Sequence, residues 1–100
     1  MSIQLMWAAA HLPASIVNPQ QKLALMKICD SADDETRTAE PAVAGVAAWV
    51  GVPDGRVLTI FAELVAKGLV ERVETGRAGR AAGYRVFPHG VPAVGGAARS

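Results

Sequence analysis

The chain has little cysteine, few aromatic residues and no long hydrophobic run. Its single cysteine, Cys29, excludes an internal disulfide framework, and the amphipathic pattern around it favours a buried, inert thiol over a reactive one. Only five of the 100 residues are aromatic, so a core must be built mostly from alanine and valine. Proline or asparagine interrupts the longest uncharged stretches, and the N-terminus lacks the basic region of a signal peptide. We therefore expect no membrane span and a cytoplasmic location.

The net charge is also small, at +1, but it is unevenly distributed. Residues 1–50 carry three basic and five acidic groups, whereas residues 51–100 carry seven basic and four acidic groups. A basic second half is a modest indication of an anionic partner. The length and the 51% hydrophobic content predict one globular domain, which we assign to residues 1–90. Residues 91–100, "VPAVGGAARS", have the composition of a flexible tail or linker.

The residue patterns that catalysis or metal binding would require are missing from the sequence. His11 and His89 are far apart and have no partner at the spacing of a zinc site. The acidic stretch at residues 30–35 lacks the spacing and the glycine of a calcium loop. No nucleophile triad order, phosphate loop or dinucleotide fingerprint is present. We expect neither an enzyme nor a bound metal or cofactor.

The first half of the chain predicts two helices and a loop. Residues 1–12 suit a short helix and, nearly as well, a strand. Asn18 is placed to cap a second helix that has Pro19 at its first position. Residues 30–40, "DSADDETRTAE", are polar and acidic, which predicts a loop with at most one short strand.

Two further helices follow at close spacing. Pro41 begins a short one over "AVAGVAAWV", which Gly51 ends. Pro53 begins the next, which runs to about Lys67 and ends at Gly68. Its inner stripe recurs at three- and four-residue steps and consists of Val57, Ile60, Phe61 and Leu64. "LVERVET" and "GYRVF" then predict two strands, and the glycine-rich "GRAGRAAG" predicts the loop between them.

The connection between these two helices indicates a helix-turn-helix unit. "GVP", residues 51–53, is too short for an antiparallel helix pair, so the helices must cross steeply. Ala47 is small enough for a close crossing, and Gly51 can take the left-handed conformation that the turn needs. The apolar positions that such a unit buries are Val46, Val50, Val52, Val57 and Ile60. The second helix then projects and fits a DNA major groove.

Residues 41–87, which include "GVPDGRVLTIFAELVAKGLVERVETGRAGRAAGYRV", resemble a winged helix-turn-helix domain. The N-terminal segment "MSIQLMWAAAHLP" and the two later segments "KLALMKICDSADDE" and "PAVAGVAAWVGV" resemble the small helix-turn-helix proteins of actinobacterial phages and mobile elements. The resemblance implies a mainly α, α+β fold with three to four helices and a two- or three-stranded antiparallel sheet. It also implies duplex DNA binding by a recognition helix (53–67) and a wing (76–83). The biological role would be that of a transcriptional regulator or a replication-initiation protein.

The resemblance implies that the exposed side of helix 53–67 faces the bases. Arg56 would bind guanine or a phosphate, Thr59 a base or a phosphate, and Asp54 would accept from cytosine. Leu58 would contact a thymine methyl group or, at equal odds, another subunit. The helix has few side chains that can hydrogen-bond to a base edge. Because such side chains are few, the alternative is a winged-helix module that binds protein and no longer reads DNA.

The loop between the two strands carries Arg77 and Arg80 on glycine and alanine spacers. Both would reach the minor groove or nearby phosphates, and the alternative is a solvated turn. Arg72 and Arg85 on the strands would extend the positive surface, or else pair with the neighbouring acidic residues Glu71 and Glu74.

Self-association is also expected, because a monomer with so few contacts would bind DNA weakly. We expect a homodimer or a higher assembly on DNA, with replication or transcription proteins as further partners. Leu5, Met6 and Trp7 in the apolar N-terminal segment are the candidate subunit contact, together with Leu58. Packing of Trp7 within its own chain is an equal alternative.

Overall fold

The computed structural model describes residues 2–73 and 83–93, and this part of the chain is an α+β fold. It has four helices and a three-stranded antiparallel sheet, as the α+β prediction required. The elements are α1 (Ile3–Ala10), α2 (Pro19–Ser31), β1 (Thr38–Ala39), α3 (Val43–Val50), α4 (Asp54–Ala66), β2 (Val70–Val73) and β3 (Gly83–Val86).

The N-terminal segment is a helix, which decides between the two predicted alternatives. The hydroxyl of Ser2 caps α1 by accepting from the backbone N–H of Leu5 at 3.2 Å. The helix packs against α2, and its buried residues are Leu5, Ala8 and Ala9. Leu5 is therefore a core residue, and its assignment to a subunit contact was wrong. A helical period of 3.6 residues turns it inward, away from the side that carries Trp7.

The second helix begins as predicted and lies at the centre of the helical layer. Asn18 accepts from the backbone N–H of Gln21 at 2.8 Å, and the Gln21 side chain accepts from the backbone N–H of Asn18 at 3.0 Å. This reciprocal cap, with Pro19 at the first position, fixes where α2 starts. Because α2 packs against α1, α3 and α4, most of its buried residues belong to the core. Among them is Cys29, where burial raises the pKa of the thiol to about 12.

The sheet has the strand order β1-β3-β2, so the strand that comes last in the chain lies in the middle. Arg37, just before β1, has a φ of 61°, and its carbonyl accepts from the backbone N–H of Val86 at 2.8 Å. Its guanidinium donates to the carbonyls of Val86 and Phe87, at 3.1 and 3.4 Å. Phe87 also has a positive φ, 52°, and its N–H donates to the carbonyl of Leu69 at 2.8 Å. Arg37 thus adds bonds at the end of the short β1–β3 pairing, which joins Thr38 to Arg85 and Ala39 to Tyr84.

The core lies between the helical layer and the sheet. The inner side of α4 contributes Val57, Ile60, Phe61 and Leu64, which are at most 2% exposed. The ring of Phe61 meets that of Tyr84 edge-on, with centroids 5.1 Å apart. This contact seats α4 on β3.

Within the described residues, no single helix has both the length and the apolar composition needed to cross a membrane. Only α3 and α4 taken together meet those two criteria, and they are bent by 93° at the break between them.

Candidate nucleic-acid interface

The turn between α3 and α4 has the geometry that its sequence predicts. Gly51 has a φ of 85°, in the left-handed region that favours glycine. The carbonyl of Ala47 accepts from the backbone N–H groups of Gly51 and Val52, at 2.8 and 3.1 Å. These two bonds end α3 and redirect the chain, so α4 leaves at 93° to α3. Val46, Val57 and Ile60 are buried at the crossing, and Val50 and Val52 are half-buried.

The outer side of α4, opposite the core, is exposed along the whole helix and almost uncharged. Its exposed residues are Asp54, Gly55, Leu58, Thr59, Ala62, Val65 and Ala66. Leu58 is 57% exposed, and the Thr59 hydroxyl donates back to the carbonyl of Gly55 at 3.5 Å. Asp54, in the first turn, is favourably placed at the positive end of the helix dipole. As described, this outer face offers one carboxylate and one hydroxyl in an otherwise apolar surface.

Arg56 lies at the edge of α4 that faces α2, and other side chains of the protein hold its guanidinium. Its Nε donates to Oε1 of Gln20 at 3.3 Å, and its NH1 lies 3.8 Å from Oε2 of Glu63. The other oxygen of Glu63 accepts from Nε2 of Gln21 at 3.0 Å. Arg56 therefore joins α4 to the start of α2, and it is not among the residues of the outer face.

The two arginines on the strands have different surroundings. Arg85 on β3 forms a hydrogen-bonded ion pair with Glu71, the residue directly opposite it on β2. Arg72 is exposed and pairs with no side chain in the described part of the chain. It lies opposite Tyr84, so it belongs to the face of the sheet on which α4 packs. The ion-pair alternative therefore holds for Arg85, whereas for Arg72 the predicted partner Glu74 lies outside the described residues.

Arg77 and Arg80, with most of the predicted wing at 76–83, lie outside the described residues. Of that segment the structure describes Gly83, the first residue of β3. The two strands that flank the loop pair in antiparallel register from Val70 opposite Val86 to Val73 opposite Gly83. Val73 and Gly83, the described residues on either side of this segment, therefore lie at the same end of the sheet.

The outer side of α1 is the second exposed apolar surface. Ile3 is 73% and Trp7 is 56% exposed, one helical turn apart. The imidazole of His11 packs beside the Trp7 indole, with ring centroids 4.2 Å apart, and its Nδ1 lies 2.8 Å from the carbonyl of Trp7. Met6 is half-buried against the core. Of the three predicted contact residues in this helix, only Trp7 is freely presented to solvent.

Three other features were not predicted in detail. Lys67, at the end of α4, donates from Nζ to the carbonyl of Ile16 at 2.6 Å and so ties α4 to the loop before α2. Lys27 lies over the half-exposed ring of Trp49, with Nζ 5.5 Å from the centroid. Beside it, an open depression of about 280 Å³ separates the end of α2 from the start of α3. Long-range contacts of this kind leave no local pattern in a sequence.

Within the acidic stretch 30–40, the turn between α2 and β1 is organised by one carboxylate. Asp33 accepts from the backbone N–H groups of Glu35 and Thr36, at 2.9 and 2.8 Å. The Thr36 and Glu35 bonds hold the pKa of that carboxyl below its usual range. Among residues 2–73 and 83–93, no three histidine, cysteine or acidic side chains are grouped so that they would hold a metal ion.

Comparisons of the chain with protein-family models, with curated proteins and with solved structures find no match.

Proposed function

We propose that the chain is a winged helix-turn-helix protein that binds double-stranded DNA. In this proposal α4 enters the major groove, and the β2–β3 hairpin contacts the neighbouring groove or its phosphates. The observation that carries it is the steep exit of α4 from the Gly51 turn, which leaves its outer side exposed from Asp54 to Ala66. A helix presented in this way has the dimensions that a major groove admits.

The electrostatic support comes from the hairpin, because α4 itself offers little positive charge. Arg72 is an exposed cation on the side of the sheet on which α4 packs. The sequence adds Arg77 and Arg80 between the two strands. Phosphate contacts supply most of the affinity in protein–DNA binding, whereas base contacts supply the specificity. We therefore assign affinity to the hairpin and sequence preference to α4.

The biological role that we propose is that of a phage- or plasmid-type transcriptional regulator or replication-initiation protein without catalytic activity. The described surface offers few cations, so we propose that two or more copies bind together, with replication or transcription proteins as further partners. The outer side of α1 supports self-association, because Ile3 and Trp7 form an uncharged, exposed pair there. Trp7→Ser should lower the mass measured by light scattering if this surface joins the copies.

One observation favours a different function for the same fold. Arg56 is held by Gln20 and Glu63, and the most exposed large side chain of α4 is Leu58. An apolar, uncharged helix face also suits contact with another protein. The second candidate is therefore a winged-helix protein-interaction module that does not read DNA.

A selection from a random duplex library separates the two candidates. It should be made at about 100–150 mM salt, where non-specific binding is already weakened. Recovery of a motif supports DNA binding, and a dimer should give half-sites about 10 base pairs apart. Without enrichment, the interaction module becomes the better proposal.

Arginine substitutions then test the hairpin. Arg72→Ala, Arg77→Ala and Arg80→Ala should each weaken binding to all duplexes and reduce the salt slope by about one. Arg85→Ala is the matched control, because its guanidinium is engaged by Glu71 and should contribute less to phosphate binding. If the first three substitutions leave both affinity and salt slope unchanged, the hairpin does not contact DNA.

A further inference from the structure

We propose that α4 selects A·T-rich duplexes by contact of its apolar outer face with thymine methyl groups. This inference rests on the proposed DNA binding and adds to it the kind of sequence that is preferred. The residues that make the selection are Leu58 and Ala62, both exposed on the outer face of α4.

The first step is that α4 lacks the donors that guanine requires. Guanine presents two acceptors, N7 and O6, in the major groove, and arginine or lysine usually donates to them. The one arginine of α4, Arg56, is turned to the edge of the helix and held by Gln20 and Glu63. The Thr59 hydroxyl is directed back to the carbonyl of Gly55. Guanine N7 and O6 facing these residues would lose their water without gaining a donor, which disfavours guanine there.

The second step is that the same surface suits thymine. Thymine is the base that presents a methyl group in the major groove, and apolar side chains contact that group. Leu58 is 57% exposed on the outer face, and Ala62 is exposed one turn further on. Leu58 and Ala62 therefore match the thymine half of an A·T pair.

The third step concerns how closely the helix can approach the base edges. Gly55 and Ala62, on either side of Leu58 in the outer face, have no side-chain atoms beyond a methyl group. Apart from its own turn of helix, a Cβ placed on Gly55 would meet nothing within 4 Å, so the surface there is open. Small neighbours let the Leu58 side chain reach the floor of the groove instead of being held off by longer side chains.

The test uses duplexes that differ only in the methyl group. An A·T-rich duplex is compared with the same sequence in which uracil replaces thymine, because this change removes the methyl and keeps the base pairing. Binding should weaken about fourfold for each methyl group that is contacted. Conversely, 5-methylcytosine in place of cytosine should strengthen binding to a G·C-rich duplex by a similar factor.

Two substitutions assign the effect to the residues named. Leu58→Ala should reduce the difference between thymine and uracil duplexes, while its circular dichroism shows a folded protein. Val65→Ala, at the far end of the same helix, is the matched control and should keep that difference.

Each outcome bears on a different statement. A protein that binds no duplex would overturn both this inference and the proposed function. Equal affinity for thymine and uracil duplexes, or selection of G·C-rich sites, would overturn the methyl contact and leave DNA binding intact. A loss with uracil that Leu58→Ala abolishes would support the inference.

Discussion

The two sides of α4 differ in what the fold requires of them. On the inner side, Val57, Ile60 and Leu64 are completely buried and Phe61 is 2% exposed. On the outer side, Leu58 and Thr59 are exposed, and neither belongs to the hydrophobic core. Packing therefore constrains the shape and volume of the inner side chains, because packed cores tolerate neither voids nor excess volume. Core packing does not constrain the outer side chains in this way. Their residue types therefore indicate what kind of partner could contact this side of α4.

The largest effect on stability is expected from a substitution on the inner side of α4. Phe61→Ala should lower the free energy of unfolding by about 3–5 kcal/mol, because it removes a buried ring and its edge-on contact with Tyr84. Urea denaturation followed by circular dichroism measures the change. That loss is a large fraction of the stability of a domain this size. An unchanged midpoint would show that this ring does not hold α4 on the sheet.

The next largest effect on stability is expected at the turn between α3 and α4, which sets the direction in which α4 leaves. Gly51→Ala should cost about 1–2 kcal/mol, because an alanine resists the left-handed conformation that Gly51 adopts. Gly45→Ala is the matched control: this glycine is inside α3, and a Cβ there meets nothing within 4 Å. It should stabilise the protein by about 0.5–1 kcal/mol. Effects of the same sign at both positions would contradict the assigned turn.

A smaller effect is expected at the edge between the two sides. Arg56→Ala should cost about 0.2–1 kcal/mol, because its ion pair with Glu63 is more than one third exposed and screened by solvent. The cost should shrink in 1 M salt, where the screening length falls to about 3 Å. A salt-independent loss would indicate that packing of the side-chain stem is what Arg56 contributes.

The smallest effect on stability is expected on the outer side. Leu58→Ala should change the free energy of unfolding by less than about 0.5 kcal/mol, because the side chain is exposed and makes no core contact. Three residues away, Phe61→Ala provides the contrast under the same conditions. A loss above about 1 kcal/mol would mean that Leu58 is buried, as it would be against another copy of the chain.

The local signals in the sequence predicted most of the helical layer. Asn18 with Pro19, and the glycines Gly51 and Gly68, mark helix ends through rules that involve only neighbouring residues. The three- and four-residue steps of Val57, Ile60, Phe61 and Leu64 identified the inner side of α4 for the same reason. Local spacing was ambiguous in α1, where helix and strand fitted about equally.

Contacts between distant residues were not predictable in this way. The guanidinium of Arg37 bonds to carbonyls 49 and 50 residues away, and the Nε of Arg56 to a side chain 36 residues away. The sequence predicts that Arg56 contacts a base or a phosphate, and it does not show that Gln20 and Glu63 lie beside it. Leu5 was assigned to a surface for a related reason: hydrophobicity alone does not tell which side of a helix faces the core. Both assignments depend on how the elements pack.

The strand order also constrains how the chain folds during its synthesis. β1 and β2 each pair only with β3, which spans residues 83–86, so the sheet has no two-stranded precursor made from earlier residues. Phe87, which is buried in the core, follows directly. Chains fold from the N-terminus as they emerge from the ribosome. The helices can form and pack on one another early, but the part of α4 that packs on the sheet, such as Phe61 against Tyr84, has no partner in a nascent chain until β3 has emerged.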